Sequence, residues 1–198
     1  MTYSTINTDR ARIWFESLRD SICAEFEAIE REAGSDAAFA YDPWLREAVE
    51  GAAGETGGGT RGLMKGKVFE KVGVNVSTVR GGLAKDFAAT INGASAEQNA
   101  FSATGISLVA HMANPHSPAV HMNTRMFWTP HAWWFGGGAD LNPCIEYPED
   151  TAHFHAAMQG ACDAHSPEYH AIFKAWADEY FFIPHHGRAR GVGGIFYD

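Results

Sequence analysis

Apolar and polar positions alternate along Val68–Val79, with Val72, Val74 and Val76 on one side and Gly73, Asn75 and Ser77 on the other. A period of two marks a half-buried strand. The same alternation runs through residues 104–112 and 119–128. The short link Ala113-Asn-Pro-His-Ser-Pro118 predicts that these two strands form an antiparallel hairpin, because a parallel pair needs a longer crossover. Elsewhere the period lengthens. From Asp9 to Glu32, Ile13, Trp14, Leu18, Ile22, Phe26 and Ile29 recur every three or four residues, with Thr8 as cap and Gly34 just beyond the end, which predicts an amphipathic helix. Two further helices are expected. One covers residues 149–164 after Pro148; the other starts at Ser166 and carries Tyr169, Ile172, Phe173, Trp176 and Tyr180 as its apolar stripe. The glycine-rich stretches Gly51–Gly62 and Phe135–Gly138 are expected as a loop and a turn. Gly57-Gly-Gly-Thr-Arg-Gly62 matches a dinucleotide-binding spacing literally, but without the preceding strand and following helix that the motif requires.

Alternation also sorts the hairpin's chemistry. Ser107, Val109 and His111 share one face against Ile106, Leu108, Ala110 and Met112; on the next strand His121, Asn123, Arg125 and Phe127 oppose Val120, Met122, Thr124 and Met126. A register pairing His111 with His121 would also bring Ser107 beside Arg125. Two imidazoles, an amide, a hydroxyl and a guanidinium would then form one patch suited to orienting carboxylates and moving protons. All ten histidines lie from His111 onward. His116 and His131 stand beside prolines and read as turn residues. His153 and His155, two apart, cannot share a helix face, so no His-x-x-x-His zinc pair arises. The serine-hydrolase elbow is absent as well.

Composition narrows the choice of partner. The 198 residues are 45% hydrophobic and 20% charged, enough for one globular domain with its own core. A net charge of -9 disfavours a nucleic-acid partner. With no signal-like apolar stretch and no run long enough to span a bilayer, the reading is a cytoplasmic protein without membrane insertion. Cys23, Cys144 and Cys162 are odd in number and widely spaced, which suits buried thiols in a reducing compartment rather than disulfides.

Several motifs carry a more specific resemblance: Val68-Phe-Glu-Lys-Val-Gly-Val-Asn-Val-Ser77, Ser107-Leu-Val-Ala-His111, Asn114-Pro115, His121-Met-Asn-Thr-Arg125, Trp133-Trp-Phe-Gly-Gly-Gly-Ala-Asp-Leu141, Asp178-Glu-Tyr-Phe-Phe182 and Arg190-Gly-Val-Gly-Gly-Ile-Phe-Tyr-Asp198. In this order, over nearly the whole chain, they resemble oxygen-dependent coproporphyrinogen III oxidases. The resemblance implies an α+β fold with a large antiparallel β-sheet flanked by helices on both faces, in a homodimer. It also implies oxidative decarboxylation of two propionates of coproporphyrinogen III to vinyls, giving protoporphyrinogen IX, carbon dioxide and hydrogen peroxide in haem biosynthesis. Molecular oxygen is the co-substrate, with no flavin or haem, and a divalent metal is admitted without being required.

By motif, His121 and Asp140 match the catalytic positions, His121 as proton donor and Asp140 as the carboxylate that engages pyrrole N–H groups. Ser107, Asn123, Thr124, Arg125 and Arg190 match substrate-binding positions. His111, His121, His155 and His185 match positions given as metal ligands in bacterial members. The family pattern usually continues past this point with a strand-rich C-terminal segment, so residues 1–198 read as one domain of this type, incomplete at its C-terminus. Met112 replaces a common proline, the segment Thr129–Ala132 is short, and His186 stands where arginine is common. The competing expectations are a tetrapyrrole-binding remnant that does not turn over, and a histidine-metal oxygenase acting on an unrelated substrate.

Overall fold

The computed structural model describes residues 3–47 and 56–198. Its first element is the long helix α1 (Tyr3–Glu32), which starts earlier than the apolar spacing predicts, so Thr8 lies inside the helix and is buried rather than capping it. The face turned to the core is Ala11, Phe15, Leu18, Ile22, Cys23, Phe26 and Glu30, a run of three- and four-residue steps. Ile13 and Trp14 were expected in the stripe but lie about 200° and 100° around the helix from Phe15, and both are more than half exposed.

Seven strands form one sheet in the order β1-β2-β3-β4-β5-β6-β9, each pair of neighbours antiparallel. They are β1 (Ala40–Leu45), β2 (Gly57–Met64), β3 (Phe69–Gly82), β4 (Ala100–Met112), β5 (Ala119–Trp128), β6 (Trp133–Asn142) and β9 (Gly194–Tyr197). The short helix α2 (Lys85–Ala88) links β3 to β4. Between β6 and β9 come α3 (Pro148–Asp163), α4 (Tyr169–Tyr180) and a small ribbon of β7 (Phe182–Ile183) and β8 (Arg188–Ala189) around a 3-10 turn, Pro184–His186. The large antiparallel sheet with helices is thus present. Among the described residues no helix is long and apolar enough to cross a membrane.

Both glycine-rich expectations need correction. Gly57–Gly62 belongs to β2 and Phe135–Gly138 to β6, while residues 51–55 lie outside the described ones. Ser166 does not cap α4, which starts after Glu168 without a side-chain cap. Of the cysteines expected to be buried, Cys23 and Cys162 are, whereas Cys144 is exposed.

Pairing stacks Val72 on Ala110, Val74 on Leu108 and Val76 on Ile106, and α1 packs across these aliphatic rows with Phe15, Phe39, Met64 and Phe69. Burying side chains of this size contributes roughly 1.5–3 kcal/mol each, which pins one face of the sheet to the helix. Because strand side chains alternate, every second residue must then project from the opposite face. That face carries Asn75, Ser107, His111, His121, Asn123, Arg125 and Asp140. The helices α3 and α4 pack along β9, where Phe173 meets Tyr197 and Trp176 and Tyr180 meet Phe196.

Candidate active site

The hairpin of β4 and β5 forms in the expected sense but with its register displaced by two residues. Val109 faces His121, Ser107 faces Asn123 and Gly105 faces Arg125. The turn explains the shift: Asn114 accepts from the backbone N–H of His116 through its side chain (3.0 Å) and from that of Ser117 through its carbonyl (3.0 Å), so the reversal is centred on residues 114–117. A slip of two keeps every face. His111 and His121 therefore still share the open face, with ring centroids 6.2 Å apart and edge to face.

β6 adds the carboxylate. Asp140 pairs across from His121 and its residue is only 1% exposed. Its Oδ2 accepts from Nη2 of Arg190 at 2.9 Å and from the side-chain amide of Asn142. The same Asn142 nitrogen lies 3.2 Å from Nδ1 of His121, and Asp140 Oδ1 lies 3.5 Å from that imidazole nitrogen. An amide nitrogen has two hydrogens, so Asn142 serves both neighbours: one hydrogen holds Oδ2, the other leaves neutral His121 with its proton on Nε2. The buried carboxylate thus has one oxygen clasped by a cation and an amide, and a second oxygen 3.5 Å from the imidazole.

Arg190 reaches Asp140 because of the turn that follows it. Gly191 and Gly193 both have positive φ (58° and 78°), a conformation that L side chains rarely adopt. Backbone bonds between Leu141 and this turn, at 3.0 and 3.3 Å, clip it to β6. His155 donates from Nε2 to the Val192 carbonyl at 3.0 Å, and the Arg190 guanidinium lies 4.6 Å over the Phe181 ring. His155 accordingly braces the Arg190 turn.

Arg125 points from the same face, held by Asp198 at 2.5 Å, whose other oxygen accepts from Trp134 Nε1 at 2.9 Å. Gly136, opposite Arg125, makes this possible, since a Cβ there would collide with the Asp198 carboxylate. Thr124 does not join the group. Alternation places it on the helix-covered face, where its hydroxyl lies 3.3 Å from that of Tyr197. Nor do the four histidines gather: His155 is engaged with Val192, and His185 packs on His186 at 4.4 Å. Among the described residues no three His, Cys, Asp or Glu side chains form a metal-binding group, so the donors do not fit a resident metal. Sequence reasoning missed Asn142 and Asp198, polar residues whose importance appears only once the strands are in register. Trp134 also holds Asp198.

A half-open antiparallel sheet thus presents a buried carboxylate, an imidazole and two guanidiniums, groups whose chemistry suits binding an acidic molecule and moving a proton. Residues 10–198 match the family model described as coproporphyrinogen III oxidase, and the chain belongs to that family. It is 49% identical over 192 residues to the oxygen-dependent coproporphyrinogen-III oxidase of Rickettsia bellii (strain RML369-C), covering 97% of this chain and 67% of the relative. The protein of the same name from Rickettsia akari (strain Hartford) is 48% identical over 185 residues, 93% of this chain and 65% of the relative. The chain thus spans about two thirds of the length of the curated relatives it matches.

Proposed function

We propose that the chain catalyses the oxygen-dependent oxidative decarboxylation of coproporphyrinogen III to protoporphyrinogen IX. The observation that carries this is the Asp140 carboxylate, buried against Arg190 and Asn142 with Oδ1 left toward His121. In each of two propionates the bond to the carboxylate breaks and carbon dioxide leaves. One hydrogen leaves the β-carbon as a proton, and two electrons pass to molecular oxygen. That proton and one more complete hydrogen peroxide.

A porphyrinogen pyrrole is electron-rich, and polarising its N–H makes the ring more reactive toward oxygen. Asp140 Oδ1 is the acceptor for that N–H, a fixed charge needing no reorganisation. Arg190 and Asn142 hold the carboxylate aimed, and His121 is the proton donor for peroxide. Arg125, Ser107 and Asn123 hold propionates on the open face. The expected homodimer belongs to this proposal, supported by the apolar side chains left exposed along α4, Tyr169, Ile172, Trp176 and Tyr180. Sedimentation velocity reads it directly.

An aerobic assay with coproporphyrinogen III, followed by product fluorescence after oxidation and paired with an anaerobic control, tests the reaction. Oxygen-dependent product is expected; a folded chain that binds the substrate and forms none would leave the non-catalytic reading in its place. Arg125→Ala is expected to raise KM about tenfold or more, the cost of a lost charged hydrogen bond, with a smaller change in kcat. An unchanged KM removes Arg125 from the propionate contacts.

A further inference from the structure

Asn75 is a residue of the site face that no role above uses. It sits in the middle of β3, directly opposite Arg61 of β2 and Ser107 of β4. Because Ser107 is opposite Asn123 in turn, Asn75, Ser107 and Asn123 form one row across three strands, spaced about 4.8 Å apart. Asparagine is disfavoured in strands. Here, moreover, its side-chain oxygen is buried without any hydrogen-bond partner, which costs the fold stability that an apolar residue would not. With the oxygen turned inward, the NH2 end of the amide is left for the face. Arg61, although paired with Asp42, adds a cation on the far side.

We propose that Asn75 is a substrate-binding residue, its amide N–H and the Ser107 hydroxyl together holding one propionate carboxylate of the tetrapyrrole. The spacing suits this, since the two oxygens of a carboxylate can each take one donor from neighbouring members of such a row. The proposal extends the site from β4–β6 onto β3, and rests on the tetrapyrrole substrate proposed above. It also gives the Val-Asn-Val-Ser alternation a function on its polar side, where packing alone explains only the valines.

Charge at position 75 tests it. The probe is coproporphyrin III, the oxidised and unreactive porphyrin bearing the same four propionates, titrated by fluorescence quenching against the folded 198-residue chain. Asn75→Ala is expected to weaken binding about tenfold. Asn75→Asp, nearly isosteric but acidic, is expected to weaken it clearly more, because it sets a carboxylate against a carboxylate. In the double variant with Ser107→Ala the losses should be less than additive if both residues hold one group. If the wild type binds and both Asn75 variants bind equally well, or if Asn75→Asp binds better than Asn75→Ala, the proposal is overturned; the latter result would mean that position 75 accepts a pyrrole N–H instead. If the wild-type chain does not bind the porphyrin, the substrate reading itself falls and this assignment with it. Melting temperatures of all variants separate a binding loss from a folding one.

Discussion

Asp140→Asn is expected to lower kcat by about 10²–10⁴-fold, the range for loss of a positioned acid–base group, while the protein stays folded. Asparagine keeps the shape and still offers an oxygen to Arg190 and Asn142, so the variant changes mainly the charge. That charge is the feature the reaction uses: Asp140 is almost completely buried, its Oδ2 is already taken, and Oδ1 is what remains for a pyrrole N–H. With its one oxygen turned to Arg190 and Asn142, the amide sets its NH2 group where Oδ1 was, a donor that neither accepts the pyrrole N–H nor stabilises developing positive charge at nitrogen. Steady-state kinetics with coproporphyrinogen III, alongside a melting curve, provide the check. Turnover within twofold of wild type would remove Asp140 from the chemistry and move attention to His121. Asp140→Ala is the harsher variant, because it leaves the Arg190 guanidinium unpaired at the site, and its melting temperature reports that separately.

How much of this was legible in the chain depends on which physical signal each residue leaves. The valines of β3 could be placed because a residue buried against α1 must be apolar and its neighbours need not be. His111, His121, Asn123 and Arg125 could be assigned to one face by the same alternation. Their register could not, because a two-residue slip preserves every face and so leaves no trace in the pattern; the Asn114 turn decides it. Glycine misled for a different reason. Gly59 read as part of a loop and Gly137 as part of a turn, yet both lie inside strands, where a Cβ would run into the carbonyl oxygens of Val76 and Asn123 on the neighbouring strand. Glycine there serves close backbone approach rather than reversal. Asp140 was found through a motif, not through periodicity, since a buried carboxylate in a strand looks like any other polar interruption. Asn142 gives no local signal at all: its significance comes from lying two residues beyond Asp140 on the strand that pairs with His121.

Replacing Glu30, a residue remote from the site, is expected to do the largest damage to the fold. Glu30 ends the buried face of α1 and is 0% exposed. One carboxylate oxygen accepts from the backbone N–H groups of Val68 (2.9 Å) and Phe69 (2.8 Å), and the other from that of Lys67 (2.8 Å). This joins the C-terminal end of the helix to the start of β3, the strand that carries Val72 to Val76 and Asn75. Gly66 completes the fit, because any Cβ there would overlap the carboxylate. Burial pushes the Glu30 pKa up, but the bonds from Phe69, Lys67 and Val68 and the Ser35 hydroxyl outweigh it and hold the pKa below its ordinary value of 4.5. A folded-state pKa lower than the unfolded one means that the carboxylate adds stability above about pH 4.5, and that this stability is lost as pH falls through the lower folded value. Glu30→Ala leaves three backbone N–H groups without their acceptor and a gap beneath the helix, for an expected loss of about 3 kcal/mol or more. In a chain of this length that corresponds to a melting temperature lower by roughly 6–12 °C. Glu30→Gln should lose less, since one oxygen remains, but it should flatten the acid limb of the stability profile because it cannot titrate. Urea unfolding of the three proteins between pH 3 and 7 distinguishes the contributions. If Glu30→Gln matches the wild type at pH 7 and shows the same acid dependence, the carboxylate is not what ties α1 to β3.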